Sequence, residues 1–238
     1  MTLNDRRVDI VTGGSQGIGA GLVAGYRGRG WAVVANAVTI KPSEDPDVLT
    51  VEGDIAKPAT ADRIIEGALE RFGRIDTLVN NAGVFVSKPF TDFTAEDYAL
   101  VVGVNLTGFF WLTQRVIAEM VRRYGGHVVN ISATLAEVAN SSTPSVLAAL
   151  TKGGLAAATR SLAVEYASRG IRVNAVSPGI IQTPVHLPES YDGLGDRLPP
   201  LGRVGQVSDV VDGILFLESS PYITGEILHI DGGQTAGR

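Results

Sequence analysis

The chain has 238 residues, 45% hydrophobic and 19% charged, and its 20 basic and 25 acidic side chains leave a formal charge of −5. Those proportions fit one domain with a large buried core and speak against a basic nucleic-acid-binding surface. The chain has no cysteine, so disulfides, thiolate metal sites and a cysteine nucleophile are excluded together.

The opening MTLNDRRVDIVTGG lacks the apolar centre of a secretion signal. No uninterrupted apolar run reaches the roughly 18 residues of a membrane span, because Asn105 breaks the best one around Ala99–Leu112. The expectation is a cytoplasmic protein without a membrane partner.

Val8–Thr12 reads as a first strand and runs into TGGSQGIG, where Gly13, Gly17 and Gly19 open a helix over Gly17–Arg29. Further strands follow at Trp31–Asn36, Val48–Val51, Thr77–Asn80, His127–Ile131, Ile171–Ser177 and Glu226–Ile230. The intervening helical patterns cover Ala59–Phe72, Ala95–Tyr124, Leu147–Ser168 and Val207–Glu218. Thr94 with Asp97 three places on resembles a capping box, with Asp in place of Glu or Gln. Most strands show no polar–apolar alternation, as expected when both faces are covered. The alternation of β and α predicts an α/β fold over residues 1–238: a doubly wound, mainly parallel seven-stranded sheet with helices on both faces. Pro178–Gln206, with Pro184, Pro188, Pro199 and Pro200, is the one long irregular stretch and reads as a substrate lid.

Glycines directly after a strand and at the start of a helix allow a tight turn and let backbone N–H groups approach a pyrophosphate, with the helix dipole behind them. Asn80-Asn81-Ala82-Gly83 follows the fourth strand and Asn105 lies in the next helix. Lys152, Ser177-Pro178-Gly179 and Asp231-Gly232-Gly233 come after them. In this order, nearly the whole chain resembles the short-chain dehydrogenase/reductase (SDR) family. The resemblance implies a Rossmann-like fold that binds NAD or NADP. It also implies a homotetramer, and hydride transfer on a carbonyl or secondary alcohol.

By that resemblance Gly13, Ser15, Gln16, Gly17, Ile18 and Gly19 hold the pyrophosphate. Asp54 and Ile55 flank the adenine, Asn81, Ala82 and Gly83 line the ribose, and Pro178, Gly179, Ile181 and Thr183 line the nicotinamide. Asp54 also reads as a turn cap after Gly53 and Asn80 as a strand-end hydrogen bond, and both readings are compatible with binding. Asn36 occupies the place where an acid accepts from the ribose 2′-OH and repels a 2′-phosphate. A neutral Asn36 admits both cofactors, and Ser15, Thr39 and Lys41 are the available partners for a phosphate.

The family's proton donor is a tyrosine four places before a lysine, whose ammonium lowers the phenol pKa and binds the nicotinamide ribose. Lys152 fits that lysine and Asn105 fits the asparagine that organises a water, but the tyrosine place is Ala148. The hydroxyl that polarises the carbonyl falls near Ala133, flanked by Ser132 and Thr134, of which Thr134 is preferred. Neither Tyr124, Tyr166 nor Tyr191 restores the spacing.

Three readings follow. The chain is an oxidoreductase whose proton comes from a water held by Lys152 and Asn105, or from His186 or Tyr191 of the lid. Alternatively it is an impaired nucleotide-binding homologue with a sensing or scaffolding role, or a chain altered at Ala133 and Ala148 to trap a complex. His127 and His229 read as structural, and no cluster has metal-ligand spacing. The helix Ala95–Tyr124 carries a surplus of apolar residues (Phe109, Phe110, Leu112, Val116, Ile117, Met120, Val121). With the small-residue helix Leu155–Ala167 it is the pair through which the resemblance implies subunit contact.

Overall fold

Seven short, β-branched strands pair in parallel in the order β3-β2-β1-β4-β5-β6-β7. They are β1 Val8–Thr12, β2 Ala32–Ala37, β3 Val48–Glu52, β4 Thr77–Asn80, β5 Gly126–Ile131, β6 Ile171–Pro178 and β7 Ile227–Ile230. The computed structural model describes residues 6–184 and 199–237, so His186 and Tyr191 of the lid lie outside the described residues.

Alternate residues of each strand feed two cores. Val8, Ile10, Val34, Leu78 and Val128 pack against α2 (Pro58–Phe72) and α4 (Phe109–Arg123). Val11, Val33, Val79, Val129, Ile131 and Val176 pack against α1 (Gly17–Gly28) and α6 (Val207–Ser219). Each fully buried aliphatic side chain contributes about 1.5–3 kcal/mol. This covering of both faces explains why the strands carry unbroken apolar runs. Strand order reverses between β1 and β4. The crevice at the C-terminal ends of those two strands is therefore the switch point at which ligands bind in open α/β sheets.

The Ala95–Tyr124 pattern is one rod with a defect. Its first part, α3 (Ala95–Val102), starts on the expected capping box: Asp97 N–H donates to Thr94 Oγ1 at 3.2 Å and Thr94 N–H to the Asp97 carboxylate at 2.9 Å. Residues Gly103–Gly108 then widen into a π-helical turn before α4. Tyr124, in a left-handed conformation (φ 55°), is the C-cap rather than a helical residue. By length and composition the 29 residues 95–123 could cross a membrane. Leu112, Val116 and Met120, however, are fully buried on the sheet, the placement of a core helix.

The longest α-helix, α5 (Val146–Tyr166), finishes in a 3-10 turn at Ala167–Arg169 rather than running on to Ser168.

A charged cluster sits at the opposite end of the sheet. Glu218 at the end of α6 accepts from Arg7 Nη2 (2.6 Å), His127 Nδ1 (3.0 Å) and Thr77 Oγ1 (3.2 Å). Those partners hold its carboxyl down at about 2 although burial, the largest influence, pushes the other way. Asp9, fully buried in β1, has no hydrogen-bond partner among the described residues. Burial and the adjacent Glu218 anion raise its pKa well above the ordinary carboxylate range, against the attraction of Arg7.

A raised folded-state pKa stabilises below the unfolded value and loses that contribution as pH rises through the folded value. Asp9→Asn, neutral at every pH, is therefore expected to gain stability relative to the parent as pH rises from 4 to 8. Denaturant midpoints across that range check it, and an equal loss at both ends would contradict it.

Candidate active site

The turn between β1 and α1 is locked from β4. Asn81 Nδ2 donates to the carbonyls of Thr12 (2.8 Å) and Gly13 (3.3 Å), while the backbone N–H groups of Asn81 and Ala82 donate to Thr12 Oγ1 at 3.0 and 2.9 Å. Gly13 (φ 66°) and Gly17 (φ 53°) adopt conformations open to glycine. A Cβ on Gly19 would lie 2.1 Å from the Gly13 carbonyl oxygen, so no side chain fits there.

The N-terminus of α1 has no side-chain cap and no acid in its first turn. Its orphan N–H groups and positive dipole end thus face the crevice uncompensated. This cradle fits a diphosphate. The structure brings Gly13, Ser15, Gln16, Gly17, Ile18 and Gly19 together at this corner.

At the other walls, several polar groups already have protein partners. Asn36 is buried, and its Nδ2 donates to Val51 O (2.9 Å) and Gly53 O (3.0 Å), tying β2 to β3. Asp54 Oδ1 accepts from Ala56 N–H at 2.9 Å as a turn cap, and Ile55 packs against Gly108. Asn80 bonds Thr113 and Asn130, and Asn130 bonds Thr159 on α5, each at 2.9 Å. Pro178 ends β6, and Gly179 N–H donates to Ile230 O. Ile181 bridges to Gly205, and Thr183 meets the position a Gly17 Cβ would occupy.

Beside Gly14 and Ser15 lies a cavity of about 560 Å³ that also reaches Thr39, Lys41 and Ser43. Among the described residues, no carboxylate lines it.

Lys152 and Asn105 meet at Gly83, where a Cβ would stand 3.1 Å from Lys152 Nζ and 3.4 Å from Asn105 Oδ1. Asn105 is held at both ends. Its Oδ1 accepts from Val84 N–H at 2.9 Å, and its Nδ2 donates to Val84 O and Thr151 Oγ1, both at 3.1 Å. The π turn that carries Asn105 is a deformation common at functional sites. Lys152 Nζ donates to Ile131 O at 2.7 Å, and desolvation lowers its pKa from 10.5 to about 8. Ala148, one turn earlier, is 4% exposed.

Of the two flanking hydroxyls, Ser132 Oγ is bound to Lys152 O at 3.2 Å. Thr134, 3% exposed, makes no side-chain hydrogen bond among the described residues. A residue that sequence reasoning left aside also lies here: Glu137 receives bonds from Ser177 Oγ (3.2 Å) and His229 Nε2 (2.8 Å).

A family model described as enoyl-(acyl carrier protein) reductase matches residues 13–235. The 3-oxoacyl-(acyl-carrier-protein) reductase FabG of Thermotoga maritima is 36% identical, over 95% of this chain and 97% of its own. The structure of ElxO with NADP bound superposes with a TM-score of 0.89 at 28% identity, covering 98% of this chain and 100% of that one. The 3-ketoacyl-(acyl-carrier-protein) reductase of Brucella melitensis complexed with NADH gives 0.85, again at 28% identity, with coverage of 98% and 100%.

The fold and the phosphate cradle are those of nicotinamide-dependent α/β oxidoreductases. Within that class, the chain belongs to the short-chain dehydrogenase/reductase family of NAD(P)-dependent enzymes.

Asn81→Ala leaves two carbonyls of the turn without their donor, a loss of about 1–3 kcal/mol where the groups are buried. It is expected to weaken binding of a reduced nicotinamide dinucleotide at least tenfold, read by titration of the coenzyme's fluorescence. Unchanged affinity would contradict the lock.

Proposed function

We propose that the chain reduces a carbonyl, or oxidises the matching secondary alcohol, with NADP(H), and that Lys152 handles the proton itself. The carrying observation is the desolvated ammonium of Lys152 beside Gly83 and Asn105, with Ala148 where the family places its phenol. The nicotinamide, when bound, supplies the hydride. Thr134 donates its hydroxyl hydrogen bond to the carbonyl oxygen, and a proton passes from Lys152 Nζ to that oxygen as charge develops on it. The neutral amine then takes a proton from solvent. A lysine tuned to about 8 is well matched to proton transfer near neutral pH.

The cavity beside Ser15 supports NADP over NAD. It gathers the hydroxyls of Ser15, Thr39 and Ser43 with the Lys41 cation and, among the described residues, holds no acid that would repel a 2′-phosphate. Asn36, whose amide is spent on β3, leaves this loop to read the ribose.

The exposed faces of α4 and α5 carry Phe110, Leu150 and Val164. They support a homo-oligomer, with four copies as the family expectation. A cytoplasmic location accords with this reading.

Reduction requires the protonated amine, so kcat should be level below pH 8 and fall above it, while alcohol oxidation rises through the same pH. Lys152→Arg keeps the charge but cannot give up its proton. It should lower kcat by about 10²–10⁴ with coenzyme affinity retained, and remove the pH 8 limb. Persistence of that limb would sink the assignment. Coenzyme binding without turnover across a carbonyl panel would favour the nucleotide-binding alternative, for which the missing phenol speaks.

Lys41→Glu places an anion against the 2′-phosphate. NADPH dissociation constants should rise by about ten- to a hundredfold, the worth of one or two charge-assisted bonds. NADH binding should stay level, and equal shifts for both would move the phosphate site elsewhere.

A further inference from the structure

Glu137 lies just beyond the 3-10 turn Thr134–Ala136 that follows β5, and joins three separate parts of the C-terminal sheet edge. Its Oε1 accepts from Ser177 Oγ at 3.2 Å, and its Oε2 pairs with His229 Nε2 at 2.8 Å. Ser177 is fully buried and pairs with His229 across β6 and β7, so both side chains rise on the same sheet face at the same level. Ser132, whose N–H donates to Val176 O, continues that row just beyond the end of β5.

At its other end Glu137 closes the turn: its N–H and that of Val138 both donate to Thr134 O at 2.9 Å, and Ala136 N–H donates to Ala133 O at 3.0 Å. The residue that begins this turn is Thr134, and its hydroxyl makes no hydrogen bond among the described residues.

Direct proton donation by His229 is excluded by distance. Two interstrand spacings of about 4.8 Å separate the β5 and β7 columns, which puts the imidazole roughly 10 Å from the Ser132 column. A general acid needs hydrogen-bond reach. Global stabilisation is also a weak account. Glu137 and His229 side chains are 38% and 36% exposed, and exposed pairs contribute little to stability. What remains is local. The carboxylate fixes where the turn after β5 sits relative to β6, whose next residues are Pro178 and Gly179.

We propose that Glu137 is a positioning residue: by bridging Ser177 and His229 it clamps the turn that starts at Thr134 and aims the Thr134 hydroxyl at the substrate carbonyl. This rests on the assignment of Thr134 given above. Ala133 leaves the preceding position without a hydroxyl, so the orientation of Thr134 carries the polarising role, and a few tenths of an ångström in the turn matter to it.

A double-mutant cycle tests the clamp. The variants Thr134→Val, Glu137→Ala and their combination are assayed with whichever carbonyl the panel shows to be reduced, and coenzyme dissociation constants are measured alongside. Each single change is expected to lower kcat about tenfold or more, the double variant to match Thr134→Val alone, and coenzyme affinity to hold. Glu137→Gln should keep most of the rate, because its amide oxygen still accepts from Ser177 and its amide still spans the gap to His229. Losses that multiply in the double variant overturn the clamp, as does weakened coenzyme binding in Glu137→Ala. A silent Thr134→Val overturns instead the assignment beneath it.

Amide hydrogen exchange reads the clamp without turnover. Glu137→Ala should speed exchange at residues 137 and 138 by at least tenfold, and unchanged protection there overturns the proposal on its own.

Discussion

The carbonyl oxygens of Thr12 and Gly13 accept from one side-chain amide, that of Asn81, and Thr12 Oγ1 receives two backbone N–H groups in return. These four bonds join the ends of β1 and β4, the two strands between which the sheet changes direction. They hold the glycine turn flat enough for Gly19 to pass within 2.1 Å, measured to an added Cβ, of the Gly13 oxygen. The same lock fixes Ala82 and Gly83, and Gly83 is where Lys152 and Asn105 converge. The glycine turn and the Lys152–Asn105 cluster are thus two ends of one rigid corner.

A second polar system carries that corner to the helices. Asn80, Asn130 and Thr159 form a buried chain from β4 through β5 to α5. Asn105 links the π turn to Thr151, the neighbour of Lys152. Buried hydrogen-bonded amides are costly to rearrange, so the helix that carries Lys152 is held at a fixed height against β5. The lowered pKa of Lys152 comes from loss of water rather than from a neighbouring cation. The property therefore follows from burial in the scaffold.

Much of this was legible in the chain. Unbroken apolar strands signalled a sheet covered on both faces, and the capping box at Thr94 and the glycines after Thr12 fall where their chemistry requires them. Lys152 and Asn105, singled out along the chain, do come together at Gly83 in the fold. The π turn was hidden, because one extra residue in a helical turn leaves the apolar spacing on either side nearly intact. The inward turn of Asn36 was hidden too, since its partners Val51 and Gly53 are set by β2–β3 pairing. Glu137 escaped notice because its partners lie 40 and 92 positions away, on strands that only the fold places side by side. The same holds for Asp9, whose neighbour Glu218 comes from the far end of the chain.

The open first turn of α1 has a thermodynamic consequence. A helix whose leading N–H groups find no internal acceptor is less stable at that end until an anion arrives, so folding at the β1–α1 corner and coenzyme supply share one free-energy ledger. At a coenzyme concentration a hundred times its dissociation constant the folded state gains about 2.7 kcal/mol. Stability would then rise and fall with the concentration of coenzyme.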